Sequence, residues 1–176
     1  MIPFDVIGVI LLSTALFCAV TDLVTGKIYN VVTFSIIVFG LLYHGFLVDG
    51  HGALFALLGI TLGFLLFFPF FAFRAMGAGD VKLLMAIGAL QGWAFVLSTA
   101  LYAMVAGGII SIFLLIYHKK FSKTVKKIWL LVWSLFVPHM QVAMPELKDC
   151  LMAPFGVPIL CGVILSYFKF FELFGL

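Results

Sequence analysis

Apolar runs of about twenty residues, broken by short polar turns, make up most of the chain. The first covers residues 2–20, and a polar turn follows to Asn30. A second covers 31–48 and stops at Val48-Asp49-Gly50-His51-Gly52, a turn punctuated by glycine. A third, dense in phenylalanine, covers 53–73. A longer stretch from Val81 to Tyr117 is read as two spans that turn over at Gln91-Gly92-Trp93, or with the first ending nearer Ser98. A last run covers 155–174. About 20 apolar residues cross a ~30 Å hydrocarbon core as a helix. In lipid, backbone polar groups must be satisfied within the segment, which favours helices over open strands. The pattern predicts an all-α polytopic membrane protein of about six transmembrane helices, one integral-membrane domain over residues 1–176.

Composition agrees: 65% of residues are hydrophobic, 10% are charged, and the mean hydropathy is +1.32. The first run has no basic stretch before it, carries Asp5, and shows no clear small-residue cleavage site, so it reads as a span and not a signal peptide. Span parity then sorts the charges. Lys27, Arg74, Lys82, Lys119, Lys120, Lys123, Lys126, Lys127 and Lys148 fall on one side, nine of the ten basic residues. That side is expected to be cytoplasmic. The tenth, Lys169, can reach an interface from the end of the last span. The stretch 118–127 holds five lysines and reads as a topology signal that also meets anionic lipid headgroups, with no call for nucleic acid. Within the basic loop 118–153, residues 125–137 suit an interfacial helix with Trp129 and Trp133 four apart on one face.

Two carboxylates carry the candidate chemistry. Asp22 follows the first span; Asp80 follows the third, in Met76-Gly77-Ala78-Gly79-Asp80-Val81-Lys82. Two crossings separate them, so both belong on the cytoplasmic face. Gly77 and Gly79 allow a sharp turn and close approach, and a helix starting near Val81 would favour an acid at its N-terminal end. That last effect also suits an aspartate that merely caps a helix. Two close aspartates share a proton, because like charges do not both ionise cheaply. One then takes a proton from water while the other polarises a carbonyl. This is what peptide hydrolysis needs without a metal or a covalent nucleophile, so no cofactor and no metal are expected.

Other chemistries fit less well. His44, His51, His118 and His139 lack HExxH spacing, and no GxSxG element occurs. Cys18, Cys150 and Cys161 form no CxxC pair. Gly77-Ala78-Gly79 lacks the third glycine and the preceding strand of a dinucleotide loop. A transporter would place acids near mid-span along a path. An assembly scaffold would use the aspartates only as caps. Both remain as competing readings.

Gly77-Ala78-Gly79-Asp80-Val81-Lys82-Leu83 resembles the extended GxGDxKL motif of type IV prepilin peptidases, which are membrane aspartic proteases. Thr21-Asp22 with Lys27-Ile28-Tyr29-Asn30 is similar to the family's first-aspartate segment, with Tyr29 where the family often has proline. Pro154-Phe155-Gly156-Val157-Pro158 looks like its Pro-Phe-Gly element. The resemblance implies that Asp22 and Asp80 are the catalytic pair, and that Gly77 and Gly79 form the turn placing Asp80. Lys82, Asn30, Pro154 and Gly156 are motif positions to which it gives no role. It also implies cleavage of the basic leader of prepilin-like precursors at the cytoplasmic face of the cell membrane. The cysteine-paired N-terminal region of methylating members has no counterpart here, so a peptidase without methyltransferase is expected. The compact form is similar to tight-adherence (Flp) pilus peptidases and, secondarily, to archaeal preflagellin peptidases. Presenilin-type proteases share GxGD, but Thr21 precedes Asp22 here and no Pro-Ala-Leu element occurs.

Overall fold

The computed structural model describes residues 6–46, 51–73, 76–117 and 155–173. Among them every regular element is helical: α1 (Val6–Thr25), α2 (Asn30–Phe46), α3 (Gly52–Ala72), α4 (Ala78–Tyr117) and α5 (Gly156–Leu173). Val6–Thr25, Gly52–Ala72 and Ala78–Leu114 are long and apolar enough to cross a membrane, while Asn30–Phe46 and Gly156–Phe168 are apolar but shorter. The chain divides into two compact units, Met1–Gly107 with Pro154–Leu176, and Gly108–Ala153. Of the second, the described residues are 108–117, helical throughout. The basic loop and the interfacial helix expected at 125–137 lie outside the described residues.

α1 runs five residues past the expected end of its span, so Asp22 lies inside its last turns and not in the following loop. The polar side chains are satisfied within the helix there: Thr21 Oγ1 donates to Cys18 O at 3.0 Å and Thr25 Oγ1 to Thr21 O at 2.7 Å. The helix stops at Gly26, whose φ of 64° is left-handed and whose N–H donates to Asp22 O at 2.8 Å. Leu11, Ala15, Cys18, Ala19 and Asp22 recur at helical spacing and are all buried. Asp22 is therefore on the packed stripe of α1. Leu23 and Val24, beside it in sequence, are exposed.

α4 is one helix in name and two in shape. Gly92 has φ 76° and ψ −177°, a conformation essentially closed to residues with a Cβ, and the ring of Phe55 lies against it. The packing on either side shows that the chain reverses there. Before Gly92, the backbones of Gly88 and Leu84 meet Gly59 and Gly63 of α3. After it, Phe95 stacks edge-on with Tyr167, Thr99 donates to Ser166 Oγ at 3.1 Å, and Gly107 meets Phe155. The reversal falls at the expected Gln91-Gly92-Trp93 turn and not near Ser98. Lipid tails offer helices no hydrophobic drive to associate, so close backbone contact and interhelical hydrogen bonds must supply it. Gly40, Gly59, Gly63 and Gly88 provide the contact, since a Cβ on any of them would overlap a neighbouring backbone. Leu83, Leu84, Ile87, Leu90 and Val96 of α4 form the packed centre, with Leu11, Phe67, Ile159 and Val163 around them.

His44 is buried beside this turn, and its Nε2 lies 2.9 Å from Leu90 O. The break at Gly92 disturbs the helical partners of nearby carbonyls, and the imidazole takes up one of them. The sequence showed only that His44 lacks metal-site spacing; the structure sets it against the reversal.

Candidate active site

Asp80 enters the site through its own turn. α4 begins at Ala78, three residues earlier than expected, which makes Gly77 its N-cap and puts Asp80 in its first turn. From there the Asp80 side chain reaches back, and Gly77 N–H donates to Asp80 Oδ2 at 3.0 Å, as the acidic member of a capping box does. The Asp80 N–H donates to Gly77 O at 3.2 Å, closing the same turn. Asp80 is only 6% exposed.

Asp22, 8% exposed, is held from much farther along the chain. Gly156 N–H donates to Asp22 Oδ2 at 2.8 Å in a buried bond. Gly156 is the first residue of α5, so Asp22 occupies the positive N-terminal end of that helix. The fit is close: a Cβ at position 156 would stand 3.0 Å from Asp22 Cβ and 3.2 Å from Ala19 Cα.

The two carboxylates share one end of the helix bundle, Asp22 at the close of α1 and Asp80 at the opening of α4. The loop after α1 supplies the link between them. Ile28 packs on Gly79, where a Cβ would come within 2.8 Å of Ile28 Cβ. Two residues after Ile28, Asn30 Oδ1 accepts from Lys82 Nζ at 2.9 Å, tying the start of α4 to the start of α2. Tyr29, where the resembled motif often has proline, is half-exposed. Its carbonyl accepts from Val32 N–H at 3.1 Å and Thr33 N–H at 3.4 Å, so it opens α2 with no proline present.

The structure thus brings together Asp22, Asp80, Gly77, Gly79, Asn30, Lys82 and Gly156. Pro154 lies outside the described residues. Among the described residues, no three His, Cys, Asp or Glu side chains cluster as a metal ion would require. Cys18 is buried one turn before Asp22 on the same stripe of α1. Sequence reasoning gave Gly156 no contact, although the Pro-Phe-Gly element flagged the position.

The family model described as the type IV leader peptidase family matches residues 9–112 of this chain. The match includes both aspartates and ends before Gly156. No curated protein and no solved structure matches.

Proposed function

The chain belongs to the type IV leader peptidase family, and from that premise we propose that it is a membrane-embedded aspartic endopeptidase. It cleaves the leader of prepilin-like precursors at the cytoplasmic membrane face. The observation that carries this reading is the convergence of two buried aspartates at one end of the bundle, each with Oδ2 on a glycine N–H.

With one oxygen of each carboxylate fixed, on this reading the work on water and substrate falls to the other. In the dyad, the ionised aspartate removes a proton from the attacking water, and its protonated partner donates to the scissile carbonyl oxygen. The C–N bond breaks as the leaving amine takes up a proton, and the pair returns to its shared-proton state. Because the two titrate together, the roles of base and acid belong to the pair. Burial excludes bulk water and strengthens both interactions. On a reading of about six crossings, this chemistry falls on the lysine-rich side. There a precursor can lay its apolar stem against the spans while its basic leader stays in the cytosol. Its scissile peptide must unwind, since a helix keeps its carbonyls hydrogen-bonded. Most phenylalanines of the 53–73 run suit lipid contact: Phe64, Phe68, Phe70 and Phe71 of α3 and Phe73 just after it are exposed, and Phe67 is fully buried.

The test is leader cleavage of a co-expressed prepilin by wild type, Asp22→Asn and Asp80→Asn, read as a mobility shift. Asparagine keeps the size and part of the hydrogen bonding but ends proton transfer, a loss on the order of 10²–10⁴-fold. Wild-type cleavage with both variants inactive is the expected result. Cleavage by both variants would reduce the aspartates to helix caps. No cleavage by wild type across a panel of precursors would favour a transporter or a scaffold.

A further inference from the structure

The Asp22 carboxylate depends on a residue at the opposite end of the chain. Gly156 does two things at once. Its N–H is the backbone donor to Asp22 Oδ2, at 2.8 Å. Its missing side chain lets α5 approach α1 so closely that a Cβ would touch Asp22 Cβ at 3.0 Å, Asp22 Oδ2 at 3.0 Å and Ala19 Cα at 3.2 Å. One contact orients the carboxylate and the other sets its distance. A glycine needed only for helix packing would lack the first. Gly162 is such a glycine, six residues on in α5: a Cβ there would meet Thr99 O at 2.5 Å and Ala103 N at 3.0 Å, with no carboxylate involved.

We propose that Gly156 is a positioning residue of the peptidase, its backbone amide aiming Asp22 at the attacking water and its bare Cα fixing how far Asp22 stands from α5. The assignment rests on the aspartic-peptidase reading above. Gly156→Ala keeps the amide but pushes the carboxylate away. Gly156→Pro removes the amide, and proline is well tolerated at the first position of a helix. The shift that Gly156→Ala demands is a few tenths of an ångström, less than the ~1 Å misplacement that costs on the order of 10²-fold in rate.

The experiment measures kcat and KM for a prepilin-like precursor, using the full-length enzyme in detergent micelles, normalised to folded protein. The set is wild type, Asp22→Asn, Gly156→Ala, Gly156→Pro, Gly162→Ala and Gly108→Ala. Nothing lies within 4 Å of a Cβ at Gly108, so that variant controls for glycine replacement itself. Gly156→Pro should lose roughly 10²-fold in kcat and Gly156→Ala roughly tenfold, each with KM within a few-fold of wild type. Gly162→Ala should lose folded yield while its surviving molecules keep near-wild-type kcat. Wild-type kcat in both Gly156 variants, with Asp22→Asn inactive, overturns the assignment and leaves the dyad standing. Equal kcat losses in Gly156→Ala and Gly162→Ala would make position 156 packing alone and also overturn it. Activity in Asp22→Asn would bring down the dyad, and the assignment with it.

Discussion

Asp80 takes its backbone N–H from Gly77, three residues earlier in the same turn, whereas Asp22 takes its own from Gly156, 134 residues away. Each aspartate has one carboxylate oxygen on a glycine amide near a helix N-terminus. The settings differ in what must fold first. The Asp80 turn closes as soon as α4 starts, through two hydrogen bonds between Gly77 and Asp80. The Asp22 setting is complete only when α5 has docked on α1 and on the returning half of α4. One half of the site is local and robust, and the other reports on the whole bundle.

The largest effect should come from breaking the condition on which the distant half depends. Gly92→Val places a β-branched residue at φ 76° against the Phe55 ring. Backbone strain of about 1–3 kcal/mol adds to that overlap, so the reversal that α5 packs against should fail. Monodisperse protein on size-exclusion chromatography in detergent should fall sharply, and a wild-type yield would refute this account of the turn. Next comes the bridge between the halves. Gly79→Ala drives a Cβ to 2.8 Å from Ile28 Cβ and should cut cleavage by roughly 10–100-fold through displacement of the Asp80 turn. Adding Ile28→Ala should recover part of it, as coupled neighbours do; strictly additive losses would show that the two do not press on each other.

Smaller still, Gly77→Ala keeps its N–H and brings a Cβ to 3.3 Å from Asp80 Oδ2, a contact that needs only slight adjustment. A loss of a few-fold is expected, less than the Gly156→Ala loss. Equal losses would erase the distinction between local and distant grips. Smallest is Lys82→Met, which removes the 2.9 Å bond to Asn30. A single net hydrogen bond contributes about 0.5–1.5 kcal/mol, so cleavage should fall by roughly two- to tenfold, with Asn30→Ala matching it. Unequal losses would give one of the two a task outside the pair.

The same division explains what could be read from the chain alone. Gly77-Ala78-Gly79-Asp80 is contiguous, so its turn and its acid were visible as a pattern, and parity alone put Asp22 at the same end of the spans. Gly92 stood out because few residues tolerate a reversal between two apolar stretches. The Asp22–Gly156 bond carries no local signal, because its partners sit at the two ends of the sequence. Only the likeness of Pro154-Phe155-Gly156 to a known element marked the place. The extension of α1 to Thr25 was also hidden, since hydropathy falls at Thr21 and Asp22 although the threonine hydroxyls are satisfied within the helix. The pairing of His44 with Leu90 O and of Thr99 with Ser166 depends on helix rotation, which an evenly apolar segment does not record.

The central claim is that Asp22 and Asp80 act as one unit, and the pH dependence of kcat/KM for precursor cleavage tests it most directly. Below the lower apparent pKa of the pair both carboxyls are protonated and no base remains. Above the upper one both are ionised and no acid remains. Activity should therefore rise and then fall with pH, in a bell whose two limbs belong to the pair. Asp22→Asn and Asp80→Asn should each abolish the bell and not merely trim one limb. A profile with a single limb, or one that keeps its shape in either variant, would contradict a shared-proton dyad.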